Sequence, residues 1–248
     1  MYRELEKAIA FGMERNRFDT RWGTPLVAFA AADDPLFADL KEAVSGTHLL
    51  PGDLLPGART VVAFFLPLAP AVAASNYSGF LASQAWAQAY LDANLLIGEI
   101  GWHLKAFLED HGHAAALTQA THNFDPDRLI SDWSHRHVAF IAGLGRFGVN
   151  RMLITERGCC GRLGSLVTSL PLDPDPRPEE EFCLFRRDGS CLRCVERCVG
   201  KALSPQDLDR HTCYAVCLKN EAVFQNLGKA DVCGKCLVDV PCSGAKPG

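Results

Sequence analysis

The run Cys191-Leu-Arg-Cys194-Val-Glu-Arg-Cys198 constrains this chain more than any other feature. Its C-x2-C-x3-C spacing lets one short loop set thiolates on neighbouring irons of a [4Fe–4S] cube and send its last cysteine elsewhere. Cys183 precedes the run. A second group follows it: Cys213, Cys217, the pair Cys233-Gly-Lys-Cys236, and Cys242. Of the eleven cysteines only Cys159 and Cys160 lie outside this stretch.

Two groups of this kind, each able to lend a ligand to the other's cluster, describe a two-cluster ferredoxin module that moves electrons. Zinc is the rival. Cys191 and Cys194 with Cys233 and Cys236 would make a tetrahedral thiolate site, but Cys183, Cys198, Cys213 and Cys242 would then have no role. Ligand softness and the x3 spacing both favour iron and sulfide. A disulfide framework fits poorly, because the start, Met1-Tyr-Arg-Glu-Leu-Glu-Lys, carries no apolar signal-peptide core.

At 248 residues the chain has room for one large domain or two modest ones. The apolar stretches 60–68 and 91–100 are too short to span a bilayer, so a cytoplasmic protein without membrane contact is expected. A net charge of −4 argues against a generally basic surface. Arg136, Arg146, Arg151, Arg157 and Arg162 are a local exception. They read first as solvated loop arginines; the sharper alternative is a set of guanidinium groups facing phosphate or amide groups of a cofactor.

Apolar residues Leu5, Ile9 and Met13 form one stripe of an amphipathic helix over 2–18. A strand is expected from Pro25, a helix from Asp33-Asp-Pro35 to Val44, and a central strand, covered on both faces, over 60–66. A long helix over 79–111 should end at Gly112, with Leu81, Trp86, Tyr90, Leu95, Ile100, Leu104, Phe107 and Leu108 mostly in the core. Tyr77 and Trp102 are likewise read as core. Another helix is expected over 131–141, ended by Gly143, then strands at 152–155 and 164–169. Four prolines between Pro171 and Pro178 demand an extended connector, which places a junction between domains 1–170 and 179–248.

Between Trp133 and Thr168 lies Ala142-Gly-Leu-Gly-Arg-Phe-Gly-Val-Asn150, followed by Gly158-Cys-Cys-Gly-Arg-Leu-Gly164. The G-x-G-x-x-G match follows a helix and opens no βαβ unit, so a dinucleotide reading is poor. The order of a glycine turn, a Leu-Ile strand, a glycine loop and a two-cluster cysteine module resembles the epoxyqueuosine reductase family and its relatives among corrinoid-dependent reductive dehalogenases. The resemblance implies an α+β fold, with a nitroreductase-like α/β domain followed by a ferredoxin-like domain holding two [4Fe–4S] clusters. It implies that Gly143, Gly145, Gly148 and Asn150 form the turn beside cobalamin; Gly158 and Gly161 in the second loop would close the other edge. FMN is the second choice of cofactor. It further implies one cluster on Cys183, Cys191, Cys194 and Cys242, and the other on Cys198, Cys213, Cys233 and Cys236, with Cys217 as a spare or a substitute for Cys213.

Val149 stands where the family has lysine, and the family's catalytic aspartate falls near Leu129, with Asp127 and Asp132 close by. The prolines usual after the fourth and last cysteines are Val199 and Ser243. The sequence given stops six residues after Cys242, without the helical repeats of tRNA-acting members. The expectation is therefore an oxidoreductase acting on a small-molecule substrate rather than tRNA, fed by an external donor such as ferredoxin or flavodoxin. The rival is a non-catalytic electron-transfer or corrinoid-handling protein.

Asp132, His135 and His137 are the candidate proton donors. The two histidines diverge by about 200° on a helix, which argues against one shared metal. The alternative is a structural role for either histidine, and for Asp132 a contact with the first turn of its helix. Cys159-Cys160 reads as two small residues in a tight loop, with a redox role as the alternative.

Overall fold

The computed structural model describes residues 2–14 and 18–248. In chain order the elements are α1 (Tyr2–Glu14), β1 (Leu26–Ala31), α2 (Leu36–Ala43), α3 (Pro51–Leu54), β2 (Thr60–Pro67), α4 (Pro70–Ser75), α5 (Gln84–Asp110), β3 (Ala115–Leu117), β4 (Phe124–Asp125), β5 (Ile130–Ser131), α6 (His135–Ile141), β6 (Gly145–Phe147), β7 (Leu153–Thr155), β8 (Gly161–Thr168), α7 (Leu184–Asp188), α8 (Arg193–Glu196) and α9 (Arg210–Val223).

An unbroken apolar run makes β2 the centre of an antiparallel sheet ordered β1-β2-β8-β3, and all eight of its residues are buried. Alternation along the strand divides the core between two faces. Val61, Ala63 and Phe65 meet Phe37 and Leu40 of α2 and Val138 and Ile141 of α6. Val62, Phe64 and Leu66 meet Leu5 and Ile9 of α1 and Leu96, Ile100, Leu104 and Leu108 of α5. Each of the Val, Leu, Ile and Phe side chains among them contributes about 1.5–3 kcal/mol by leaving water. The mixed helix-and-sheet class expected from the sequence is the one found.

A third core joins the sheet-bearing part to the cysteine segment: Ala82, Trp86, Val149, Ile154, Cys159 and Cys160 pack with Phe182, Cys183, Cys194, Leu237 and Val240. Residues 171–179 between them form neither helix nor strand.

Several boundaries differ from expectation. The long helix begins at Gln84, where the Ser83 side chain accepts a hydrogen bond from the Trp86 amide, and ends as expected before Gly112 at φ +81°. Because only one stripe of so long a helix can face the sheet, Leu95 and Trp102 point to solvent at 60% and 63% exposure, and Leu81 and Tyr77 are also exposed. The helix expected over 131–141 starts only at His135, since Ile130–Ser131 pairs with Phe124–Asp125. The glycine turn hides a strand: Gly145–Phe147 forms a hairpin with β7. Residues 15–17 of the first expected helix lie outside the described residues. Among the described residues no helix is long and apolar enough to cross a membrane.

Candidate functional site

The cysteine segment folds as short helices and loops that turn its thiols inward. Cys183 caps α7, Cys194 sits buried in α8, and Cys213 and Cys217 lie one turn apart on α9. Gly234, between Cys233 and Cys236, takes φ +70°, which lets that loop reverse sharply.

The thiols gather in two places. Cys183, Cys191, Cys194 and Cys242 line a small cavity of about 20 Å³, together with Gly148, Val149 and Asn150. Cys198, Cys213, Cys217, Cys233 and Cys236 line a larger one of about 260 Å³. Electrostatics largely follow the same partition, with Cys194 of the first set also contributing to the rise at Cys236. Burial, then Cys242, Cys183 and Cys191, push the Cys194 thiol up to about 12. Burial, then Cys233, Cys213 and Cys198, raise Cys236. Cys213 and Cys217 both face the larger cavity, so the choice between them stays open. The adjacent pair Cys159 and Cys160 is fully packed; Cys159 Sγ lies 3.9 Å from Cys242 Sγ, and the Cys160 thiol donates to the Leu237 carbonyl at 2.9 Å.

Among the described residues no three His, Cys, Asp or Glu side chains stand ready to hold one metal ion between them. A [4Fe–4S] cube makes a different demand, one thiolate on each of four irons; four thiols line the small cavity and five the larger. The indole N–H of Trp86, in the wall of the larger cavity, is buried without a hydrogen-bond partner.

The remaining wall of the larger cavity is mostly apolar, with one polar and aromatic part. The Arg162 guanidinium lies 4.7 Å over the Tyr90 ring and donates to Asn94 Oδ1 at 2.7 Å. The Tyr90 hydroxyl donates to Asp231 at 2.7 Å, and Asp231 also meets Tyr214 at 3.3 Å and His122 at 3.2 Å. Burial is the main cause that pushes Tyr90 up to about 12. Arg136 and Arg162 line both this cavity and an adjacent one of about 290 Å³ that reaches His135. Tyr90 is a core position by its sequence pattern, and nothing in the sequence marks Asp231 as its partner. The position of Asp231, two residues before Cys233, was the only signal available.

The candidate proton donors are spread out. His135 Nδ1 meets Ser165 Oγ at 2.9 Å and its Nε2 meets the Gln119 carbonyl at 2.8 Å, while burial pulls its pKa down to about 4. His137 bonds Ser134 Oγ at 2.8 Å and is also drawn down to about 4, by burial and then by Arg136. Both imidazoles are neutral near pH 7. Asp132 is exposed and accepts from Thr47 at 2.6 Å.

The glycines divide as well. A Cβ on Gly143 would lie 2.6 Å from the Pro176 carbonyl oxygen, on Gly145 2.0 Å from that of Ile154, and on Gly158 2.3 Å from that of Ser243. The chain itself fills the close approach these three permit. Gly161 and Asn150 line the larger cavity, and Gly148 the small one. Of the arginines, Arg146 pairs with Glu181 at 2.6 Å and Arg157 is exposed, whereas Arg136 and Arg162 face the cavities.

No family model matches the chain. An epoxyqueuosine reductase of Lactococcus garvieae is 45% identical over 67 residues, which is 27% of this chain and 17% of that protein. The epoxyqueuosine reductase of Bacillus subtilis superposes over the whole chain and 67% of its own, with TM-score 0.60 and 21% identity. A catabolic reductive dehalogenase in complex with 3-bromo-4-hydroxybenzoic acid covers 90% of this chain and 30% of its own, with TM-score 0.62 and 18% identity. The resemblance read from the sequence is thus borne out: the chain is similar to epoxyqueuosine reductases in sequence over that stretch, and to them and reductive dehalogenases in fold. The relatives' names point to a reductase. One expectation is corrected. A fold neighbour, an epoxyqueuosine reductase at 22% identity and TM-score 0.59, was solved with an epoxyqueuosine-modified tRNA-Tyr stem loop, which overturns the reading against tRNA.

Proposed function

We propose that the chain is an iron–sulfur oxidoreductase in which two [4Fe–4S] clusters feed an acceptor bound beside the second of them. Cys183, Cys191, Cys194 and Cys242 hold the first cluster. Cys198, Cys213, Cys233 and Cys236 hold the second, with Cys217 in reserve. Residues 179–248 form the ferredoxin-like part and residues 1–170 a nitroreductase-like acceptor domain. The observation that carries this reading is a single cavity walled on one part by the second cysteine set and on another by Tyr90, Arg136 and Arg162.

Cobalamin is the first choice of acceptor and FMN the second, since a neighbouring reductive dehalogenase is described as B12-dependent. A corrinoid, when bound, supplies a metal centre that takes electrons and passes them to an organic substrate. The chain supplies the rest. Arg136 and Arg162 orient polar groups of the ligand, and Leu68, Ala89 and Val199 keep the space apolar and dry. His135, in the adjoining cavity and neutral near pH 7, would handle the proton through an N–H group rather than as imidazolium, whereas His137 lines a different cavity. Asp132, exposed beside Thr47, needs a local movement to take part.

Anaerobically reconstituted and reduced protein, mixed with cobalamin or FMN, tests the reading. Expected is a change in the acceptor's visible spectrum that a Cys236→Ala variant abolishes. Reduced clusters that leave both acceptors untouched would overturn the acceptor site and leave an electron carrier.

A further inference from the structure

The Gly158–Gly161 loop seats Cys242, the last cysteine of the first set. The Cys159 amide donates to the Cys242 carbonyl at 2.9 Å, and the Cys160 amide to the Ser243 carbonyl at 2.9 Å. A Cβ on Gly158 would lie 2.3 Å from that same Ser243 oxygen, so the two backbones run directly against each other. Backbones bonded in this way stand near the separation of paired strands, with Cα atoms about 5.5 Å apart, which is within the span of a disulfide.

The side chains complete the approach. Cys159 is wholly buried, with its Sγ 3.9 Å from Cys242 Sγ; Asn150 Nδ2 donates to it at 3.5 Å and fixes its direction. Cys242 is half-buried, so a small reagent reaches its sulfur before that of Cys159. Cys160 is held by the Leu237 carbonyl at 2.9 Å. It is also a poor partner for Cys159, because neighbouring Cα atoms, about 3.8 Å apart, are too close for a relaxed disulfide. Cys159 lines neither of the two thiol cavities, and electron transfer gives it no task.

We propose that Cys159 and Cys242 close into a disulfide when the first cluster is missing, an inference that rests on Cys242 being a ligand of that cluster. The oxidant is a low-molecular-weight disulfide. The Cys242 thiolate attacks one of its sulfurs and releases one thiol; the Cys159 sulfur, giving up its proton, then attacks Cys242 in the mixed disulfide and releases the second. Two electrons and two protons pass from the cysteine pair to the reagent, which ends as two thiols. Closed in this way, Cys242 is kept from the sulfinic acid that a free thiolate reaches with peroxide and that thiols do not reverse. Iron bound to Cys242 occupies the same sulfur and keeps the pair open. The link joins positions 83 residues apart, across the proline-rich connector, and so ties the cysteine segment to the sheet-bearing part when the cluster does not.

The test compares the full chain in two forms, reduced and iron-free or anaerobically reconstituted. Each is exposed to glutathione disulfide, alkylated, digested and analysed by mass spectrometry. The 159–242 link is expected in the iron-free form and not in the reconstituted one, and dithiothreitol should restore iron uptake in full. Cys160→Ser should keep the link and Cys159→Ser should lose it, while both take up iron as the parent does. After hydrogen peroxide and then dithiothreitol, the iron-free parent should still rebuild its first cluster, and Cys159→Ser should not. No link in the iron-free parent, a link that survives Cys159→Ser, or one that forms equally with the first cluster in place overturns the proposal. Iron counted in the same samples separates the two readings. A full count after reconstitution with no link in the iron-free form sinks this inference alone, whereas a link in a chain that takes up no iron supports the disulfide and removes the cluster.

Discussion

Gly234 shows how one residue ties the thiols to the rest of the molecule. Its φ of +70° is costly for a side-chain-bearing residue, and a Cβ there would lie 2.3 Å from the Trp86 ring. The loop carrying Cys233 and Cys236 therefore docks flush on α5. Gly234→Ala should lower the iron content of purified protein towards half, whereas Gly244→Ala, with nothing within 4 Å, should leave it unchanged. His135 gives a prediction in pH. Its pKa is about 4 in the folded chain against 6.5 ordinarily. Above 6.5 neither state binds the proton; as pH falls from there towards 4, the unfolded chain takes a proton the folded chain refuses, and stability declines. The denaturant midpoint should fall through that window, and His135→Gln should flatten the fall. No marked change in slope in the variant would refute the assignment.

Strand β2 and the Cys233–Cys236 loop show what was legible in sequence and what was not. The run over 60–66 announced a strand covered on both faces because every position is apolar or β-branched, and burial on both faces needs nothing else. Cysteine spacing likewise announced two groups of thiols, since local loops set most of their geometry. The contacts that seat the loop left no such trace. Lys235, 1% exposed, donates to the carbonyls of Asn76 at 3.0 Å and Ser78 at 2.6 Å, and Asn76 Nδ2 donates to the Cys233 carbonyl at 2.9 Å. These bonds cross more than 150 residues, and neither a lysine beside two cysteines nor an asparagine after a short helix advertises its partner. Lys235→Met should cost about 1–3 kcal/mol by leaving carbonyls unpaired, measured as a drop in unfolding midpoint at unchanged slope. The β6 strand escaped notice for another reason: three residues beginning with glycine carry no alternation to read.

Across the whole molecule, the division at residues 171–178 is looser than a proline-rich connector suggests. Trp86 and Gly234, Tyr90 and Asp231, Lys235 and Asn76, and the Ala82 amide with Asn220 at 2.7 Å all bridge it. The proposed clusters would supply folding free energy to 179–248, and these bridges should carry its loss into 70–90. Hydrogen exchange in Cys236→Ala should rise in both stretches while β2 stays protected. A rise confined to 179–248 would mean that the bridges carry little energy.

The central claim is that two sets of four thiols each hold one [4Fe–4S] cluster. Iron and acid-labile sulfide counted per chain after anaerobic reconstitution test it most directly, in the parent and in Cys194→Ala and Cys236→Ala. The parent should give about eight of each and either variant about four, one cluster being lost at a time. Zinc bound without sulfide, or a parent count near four that either variant abolishes, would contradict it.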